Sequence, residues 1–175
     1  MLCTWVGLGD RVTLEQGDAT ATHYAEGTFD KAFMMHVGMN IEDKQALASE
    51  LHRVLRPGGH LGIYDIMRTG DADLVFPVPW ATTASESRVS SPGEYKAALE
   101  AAGFRMVAEH DRGSFALEFF AELQARAGGA GGPAPLGLHI LMGETAPEKV
   151  RNMIANVSQQ RIAPVELIAE KTGRG

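Results

Sequence analysis

Residues 29–66 read FDKAFMMHVGMNIEDKQALASELHRVLRPGGHLGIYDI, and this stretch decides the fold. Phe29–Val37 is almost continuously apolar, which is typical of a strand that is covered on both faces. Asp43–Leu55 follows a helical period, because its apolar residues form one stripe: Leu47, Leu51, Val54 and Leu55. Arg56–Gly59 (RPGG) ends this helix, since proline cannot extend it and glycine accepts the turn. Leu61–Ile66 predicts the next strand, so the stretch is a βαβ unit with two parallel strands and a right-handed crossover.

The flanking sequence predicts further elements of the same sheet. Ahead of the unit, Val12–Gln16 (VTLEQ) predicts a strand. After the long connection Met67–Ser90, Ser91, Pro92 and Glu94 predict a capping box at the start of a helix. The other expected elements are a strand at Phe104–His110, a helix at Ser114–Ala127, a helix opened by a second capping box at Thr145, and a strand at Ile162–Lys171. Together they predict one α/β domain over residues 1–175, with a flexible Gly/Pro-rich loop at 128–135.

Composition and charge restrict the class of protein. The chain has 175 residues, with 16 Lys and Arg against 22 Asp and Glu and a net charge of −6. An acidic balance argues against nucleic acid or an anionic membrane as a partner. No apolar run approaches the ~20 residues that a membrane span needs. Cys3 is the single cysteine, which excludes an intramolecular disulfide and a Cys-based zinc site. These features predict a cytoplasmic domain.

Three groups of candidate site residues lie at the carboxyl ends of predicted strands or directly after them. They are Gly17-Asp18-Ala19, Met34-Met35-His36 and Tyr64-Asp65. In open α/β sheets ligands bind at the carboxyl ends of the strands, so the three groups are expected at one edge. A carboxylate such as that of Asp18 can accept a hydrogen bond from an exocyclic amine. Taken one by one, the first two groups also have structural explanations: a turn for Gly17-Asp18-Ala19, and methionine packing with a hydrogen-bonded histidine for Met34-Met35-His36.

Other motifs give no support to rival chemistry. Gly129–Ala134 fits G-x-G-x-x-A formally, but it follows no strand, and Pro133 lacks the N–H that a phosphate cradle would use. A nucleotide-binding oxidoreductase is therefore ranked low. The six histidines have no zinc-site spacing, and Asp71 with Asp73 is typical of a solvated loop, so no metal is predicted. Ser114 does not lie in a G-x-S-x-G elbow, which leaves a serine hydrolase unsupported.

Four segments carry a resemblance to a known family: residues 17–20 (GDAT), 29–44, 51–66 and 94–104 (EYKAALEAAGF). Together they resemble a class I S-adenosylmethionine-dependent methyltransferase of the small-molecule type, similar to sarcosine, dimethylglycine and tocopherol methyltransferases. The resemblance covers roughly residues 8–171, and L-R-P-G-G before a strand is its most specific part. It implies a Rossmann-like sheet that is mostly parallel, has an antiparallel C-terminal strand and lacks the family's first two strands. We therefore expect an N-terminally truncated domain.

The resemblance also implies roles for particular residues. The cofactor would be S-adenosylmethionine, and the reaction would be methyl transfer to a small-molecule nucleophile. The residues implied to bind the cofactor are Asp18 and Ala19 at the adenine, and Met34 and Met35 beside the methionine part. The residues implied to border the acceptor are Tyr64, Trp80 and His139. If the acceptor arrives protonated, His36 is the first candidate for the base and Asp65 the second.

The chain departs from the family pattern ahead of residue 8. The family's Gly-rich cofactor loop and its ribose-binding acidic residue have no counterpart in the sequence. The strand that would pair with Val12–Gln16 is likewise absent, which would leave backbone groups at an open edge. A non-catalytic remnant that acts as a binding or dimerisation module is therefore the alternative function. Two arrangements would cover the exposed surface: a homodimer, in which a second copy packs against it, or a repacked N-terminal strand.

Overall fold

A mixed four-stranded sheet organises the protein, whose computed structural model describes residues 2–129, 140 and 142–173. The strands are β1 (Phe29–Met35), β2 (Leu55–Arg68), β3 (Phe104–Asp111) and β4 (Ile162–Lys171), in the order β1-β2-β4-β3. Strand β1 is parallel to β2, whereas β4 is antiparallel to both β2 and β3. Three strands therefore run in one direction and the C-terminal strand runs in the other, which confirms the predicted sheet.

Five α-helices surround the sheet within the described ranges. They are α1 (Leu2–Trp5), α2 (Lys44–Val54), α3 (Pro92–Ala101), α4 (Gly113–Gly129) and α5 (Ala146–Ser158). Helix α2 begins at Asp43, whose side chain accepts a hydrogen bond from the backbone N–H of Ala46 at 2.8 Å. Helix α3 begins with the predicted capping box of Ser91 and Glu94. None of the described helices combines the length and the apolar character needed to cross a bilayer.

Three local predictions differ from the structure. Val12–Gln16 is not a strand, because no described strand lies beside it to satisfy its backbone groups. The second capping box is wrong: a short 3₁₀ turn, Gly143–Thr145, runs directly into α5 and leaves Thr145 in a helical conformation without a cap hydrogen bond. In the predicted loop at 128–135, the first two residues belong to α4 and the others lie outside the described residues.

Helices α2 and α3 cover one face of the sheet and form the main core. Alternate residues of β2 and β4 point into this face, as the two-residue period of a strand requires. The buried contributors include Leu61, Ile63 and Met67 from β2, Val165, Leu167 and Ala169 from β4, Leu47 from α2, and Tyr95 and Leu99 from α3. Burial on this helix-covered face explains why alternate residues of β2 and β4 are apolar.

The opposite face of the sheet is only partly covered. Helices α4 and α5 pack over its far end, around a second cluster of Met39, Ile66, Met153, Val157 and Ile162. Beyond that cluster, Phe33 is 81% exposed and Met35 is 58% exposed. They border a groove of about 340 Å³ that also includes Gly62, Tyr64, Glu166 and Ile168. We call this surface the open groove.

Replacing Lys171 should destabilise the fold. Lys171 is buried, and its Nζ donates to the carbonyl oxygens of His52 and Leu55, each at 2.8 Å, where α2 meets β2. Lys171→Met would leave these carbonyls without that donor and lower the free energy of unfolding by about 1.5–3 kcal/mol, as measured by urea denaturation. The control Lys149→Met, on α5, should change it by less than about 0.5 kcal/mol. Equal losses in both variants would contradict this role of Lys171.

Candidate functional site

The carboxyl end of β1 brings His36 beside Tyr64, which lies within β2 and not at its end as the sequence predicts, because β2 continues to Arg68. Met35 and Tyr64 are partners in the parallel register, and the backbone N–H of His36 donates to the carbonyl of Tyr64 at 2.9 Å. The two rings meet edge to face, with their centroids 5.3 Å apart. His36 has a φ of 54°, a left-handed conformation that is uncommon outside glycine. This backbone turns the chain sharply at the end of β1 and leaves His36 exposed.

Asp65, the next residue along β2, lies on the helix-covered face and is fully buried. Its Oδ2 accepts from the Tyr95 hydroxyl at 2.9 Å, and its Oδ1 accepts from the Ile66 backbone N–H at 3.0 Å. Burial raises the pKa of Asp65 above its ordinary value, and these hydrogen bonds oppose the shift only in part. A bound small molecule could reach this carboxylate only if the surrounding side chains moved.

A row of polar residues crosses the open face beside Tyr64. Tyr64 pairs with Glu166 across β2 and β4, and Glu166 pairs with His110 across β4 and β3. Glu166 also accepts from the Arg112 guanidinium at 2.9 Å, which lowers the pKa of Glu166. Burial raises the pKa of Tyr64, with Arg112 opposing the shift and Glu166 adding to it. Sequence reasoning missed this row, although the alternation in β4 predicts that Glu166 and Glu170 share a face.

Asp18 and Ala19 lie in a turn that packs against the helix-covered core. The Oδ1 of Asp18 accepts from both the backbone N–H and the hydroxyl of Thr20, at 2.8 and 2.7 Å, which lowers the pKa of Asp18. Both bonds use the same oxygen of an exposed side chain, so Oδ2 is left for another donor. Ala19 is half-buried against the cluster that contains Met34. The turn and the cofactor interpretations of Asp18 are therefore compatible.

A partly buried ion pair on α2, between Glu50 and Arg53, fixes the segment that follows Asp18. Glu50 accepts from the backbone N–H of Thr22 at 2.8 Å and also from its hydroxyl. Arg53 donates twice to Glu50 and once each to the carbonyls of Thr22 and Tyr24. Hydrogen bonds from Arg53 are the largest cause that lowers the pKa of Glu50 to about 2. The network attaches this irregular segment to a helix, whereas a strand would use backbone ladder bonds.

The remaining candidates are dispersed. Met34 is buried in the helix-covered core, whereas Met35 points to the open groove, because neighbouring strand residues face opposite sides. Trp80 packs against the second cluster, and its Nε1 donates to the hydroxyl of Ser87 at 3.0 Å. His139 lies outside the described residues. The structure thus joins His36 and Tyr64 directly, with Asp65 behind them.

Comparisons with known proteins show what the chain is similar to. The sequence profile of a family described as "Methyltransferase domain" matches residues 4–63. The chain is 32% identical over 104 residues to the methyltransferase GfsG of Streptomyces halstedii, covering 58% of this chain and 37% of that protein. It is 31% identical over 72 residues to the sterol 24-C-methyltransferase of Eremothecium gossypii, covering 41% of this chain and 19% of that protein. The chain therefore spans about a third or less of the length of these curated relatives.

Solved structures share the fold over nearly the whole chain. The geranyl diphosphate C-methyltransferase of Streptomyces coelicolor, solved with Mg²⁺, geranyl diphosphate and S-adenosyl-L-homocysteine, aligns with a TM-score of 0.70 at 17% identity. The alignment covers 97% of this chain and 57% of that one. The cyclase SpnF aligns with a TM-score of 0.65 at 23% identity, covering 99% of this chain and 60% of that one.

The sheet order and the solved structures define a Rossmann-like fold, and residues 4–63 match a methyltransferase domain. Together these findings support the class I S-adenosylmethionine-dependent methyltransferase that the sequence motifs predict. S-adenosylmethionine is the cofactor of this class, and solved relatives contain it or S-adenosyl-L-homocysteine.

The described residues fit one end of this cofactor. An exposed carboxylate at Asp18 suits an adenine amino group, since it offers a charged acceptor that Thr20 leaves partly free. Ala19 supplies a small apolar surface next to it, continuous with the core that contains Met34. The turn at Asp18 and Ala19 is thus chemically suited to an adenine ring.

The Glu50 network should make stability depend on pH. Because the pKa of Glu50 falls from 4.5 to about 2 on folding, its stabilising effect is complete above about pH 4.5 and is lost as the pH falls toward 2. Glu50→Gln should lower the free energy of unfolding by about 1–3 kcal/mol near neutral pH. Urea denaturation at several pH values should show the difference from the unmodified protein shrinking in acid.

The control for this experiment is Glu100→Gln, on the exposed side of α3. It should leave the pH profile of stability close to that of the unmodified protein. A Glu50→Gln deficit that stays constant from neutral pH to about pH 3 would show that the charge of Glu50 does not contribute.

Proposed function

We propose that this chain takes part in methyl transfer from S-adenosylmethionine to a small-molecule nucleophile. The observation that carries the proposal is the contact between His36 and Tyr64 at the carboxyl end of β1, since open α/β sheets bind ligands at the carboxyl ends of strands. When bound, S-adenosylmethionine supplies a methyl group on a positively charged sulfur. The protein therefore needs mainly to bind the cofactor and the nucleophile and to orient them. It also removes a proton where the nucleophile carries one.

In this proposal the cofactor lies between the Asp18 turn and the end of β1. Asp18 accepts a hydrogen bond from the adenine amino group through Oδ2, and the backbone of Ala19 lies against the ring. Met34 and Met35 provide apolar surface beside the methionine part, one from each side of β1. The support is the exposure of Asp18, the packing of Ala19 near Met34 and the fixation of the intervening segment by Glu50.

The acceptor would bind in front of His36. An unprotonated ring nitrogen of His36 takes the proton of the nucleophile, because His36 is exposed whereas the other candidate base, Asp65, is buried. Tyr64, Trp80 and His139 would border the acceptor. The aromatic faces of Tyr64 and Trp80 suit an apolar or a cationic group such as a methylammonium. Geranyl diphosphate, which a solved relative contains, is one example of an apolar acceptor with a polar head.

The alternative function is a non-catalytic binding module, and it has to be compared with the methyltransferase because the fold does not determine the chemistry. The cyclase SpnF has the same fold, so a chain of this architecture can serve another reaction or act only as a binding module. Cofactor binding separates these possibilities. A methyltransferase must bind S-adenosyl-L-homocysteine, the demethylated product, whereas a non-catalytic module need not.

The cofactor assignment predicts the effect of Asp18→Ala. Isothermal titration with S-adenosyl-L-homocysteine should show one site per chain, and Asp18→Ala should weaken binding by about 10- to 100-fold, since it removes a charged hydrogen-bond acceptor. Asp71→Ala, in the exposed loop after β2, should leave the affinity unchanged. Equal affinities for Asp18→Ala and the unmodified chain would contradict the adenine contact. The absence of binding to a folded chain would favour the non-catalytic alternative.

We also propose that a second copy of the chain packs against the β1 edge of the open groove, around Phe33. Among the described strands β1 is an edge, with one row of backbone groups unpaired, and its Phe33 side chain is largely exposed. Exposed edges and apolar patches of this kind favour association. The partners in this proposal are the small-molecule acceptor and the second copy, without nucleic acid or membrane. The proposed location is the cytoplasm.

The dimer predicts a specific effect of Phe33→Glu. Light scattering coupled to gel filtration should give twice the chain mass, and Phe33→Glu should weaken association by about 10- to 100-fold, because each copy loses a buried aromatic ring. Phe115→Glu, at a residue of α4 that is 61% exposed, is the matched control and should not change the mass. A monomer of the unmodified chain would refute the proposal.

A further inference from the structure

Behind the candidate site lies a buried pair, Asp65 and Tyr95, that the proposed function does not use. Asp65 is 0% exposed and Tyr95 is 2% exposed. The Tyr95 hydroxyl donates to Oδ2 of Asp65 at 2.9 Å, while Ile66 donates its backbone N–H to Oδ1 at 3.0 Å. Each carboxylate oxygen therefore has its own donor, and the orientation of the carboxylate is fixed.

Lys44 supports the pair from the other side. Its Nζ lies 5.3 Å from the centroid of the Tyr95 ring, within the range of a cation–π contact. The same ammonium donates to the carbonyl of Ile41 and, at 2.9 Å, to that of Arg88. The Tyr95 ring is thus held between Lys44 and Asp65. Burial and the neighbouring carboxylate raise the pKa of Tyr95, so its hydroxyl keeps the proton that it donates.

The backbone of Gly38 lies directly against this pair. A Cβ placed on Gly38 would overlap the Tyr95 hydroxyl and would lie 2.5 Å from Oδ2 of Asp65 and 3.0 Å from the Cε of Met34. The backbone N–H of Gly38 also faces the Asp65 carboxylate. No larger residue fits at position 38 without displacing the pair, so the pair determines where the chain runs after β1.

His36 lies two residues before Gly38, and its backbone is bonded to β2, the strand that also carries Asp65. Its N–H donates to the carbonyl of Tyr64, the residue before Asp65. The tight turn between β1 and the 3₁₀ helix Gly38–Asn40 is therefore attached to β2 at two points. One is the bond from the N–H of His36 to Tyr64, and the other is the contact between Gly38 and Asp65. With both attachments in place, the backbone of His36 stays left-handed and its ring stays against the edge of Tyr64.

We propose that Asp65 and Tyr95 form a latch over Gly38 that holds His36 in its left-handed conformation against Tyr64. Asp65 is then a positioning residue, which acts on the site through Gly38 and makes no contact with the acceptor. The consequence for catalysis rests on the proposed function of His36, whereas the latch itself is a property of the fold.

The test is the NMR spectrum of the His36 ring in the full chain without ligand. Tyr95→Phe removes the hydroxyl and keeps the ring over Lys44, so the latch opens with little loss of packing. The ring-proton resonances of His36 should then shift, because their distance from the Tyr64 ring changes. Tyr24→Phe is the matched control: the Tyr24 hydroxyl also donates to a carboxylate, that of Glu15, at 2.8 Å on the surface. This variant should leave the His36 resonances unchanged.

A second variant keeps the test decisive if Tyr95→Phe does not fold. Gly38→Ala should displace the same His36 resonances, because its Cβ collides with the pair. Where both variants fold, their losses in melting temperature should be less than additive in the double variant, since phenylalanine lacks the hydroxyl that the added methyl group would meet. Unchanged His36 resonances in a folded Tyr95→Phe or Gly38→Ala variant would overturn the latch.

The outcome is independent of the proposed function, because no cofactor or acceptor is present. A positive NMR result together with no binding of S-adenosyl-L-homocysteine would retain the latch and refute the cofactor assignment. If the His36 resonances stay unchanged and S-adenosyl-L-homocysteine binds, cofactor binding is retained and the positioning role of Asp65 is refuted.

Discussion

The hydrogen-bond register of β2, which pairs with β1 along one edge and with β4 along the other, determines the rest of the structure. This register places Asp65 under α3 and Tyr64 on the open face. A slip of one residue would exchange the two side chains, because strand residues alternate between faces. It would expose the apolar residues of β2 and bury Tyr64 among the core aliphatic side chains. The strong burial of the helix-covered face thus determines which side chains of β2 lie on each face of the sheet.

Two polar arrangements result, one on each side of β2, and they differ in their access to solvent. The row through Tyr64, Glu166 and His110 is partly exposed, and its charges are paired at the surface. The arrangement around Asp65 is dry, so an unpaired carboxylate there would be costly, and Tyr95 and Ile66 offset that cost. The first arrangement can meet a ligand directly, and the second can act on one only through the backbone.

Near Asp18, side-chain hydrogen bonds hold the backbone in place of the backbone hydrogen bonds that a neighbouring strand would provide. Residues 12–18 have no regular secondary structure, yet the following segment is held to α2 by the carboxylate of Glu50 and the guanidinium of Arg53. Charge-assisted hydrogen bonds are directional and strong enough to fix a turn without a neighbouring strand. The position of Asp18 relative to the core therefore depends on a helix.

The sequence alone determined the βαβ unit, the capped α3, the C-terminal strand and the family, because hydrophobic period, caps and the L-R-P-G-G turn are local signals. It also predicted His36, Tyr64 and Asp65 as candidate site residues, since a strand pattern placed them near the ends of strands, and these roles stay predictions. It failed at Val12–Gln16, where strand formation needs a partner distant in sequence. Only the tertiary structure decided that Asp65 is buried, that Tyr95 and Gly38 close over it and that Met34 and Met35 face opposite sides. These properties arise from contacts between α3, β2 and the turn after β1, and no local pattern encodes which side chains meet across elements.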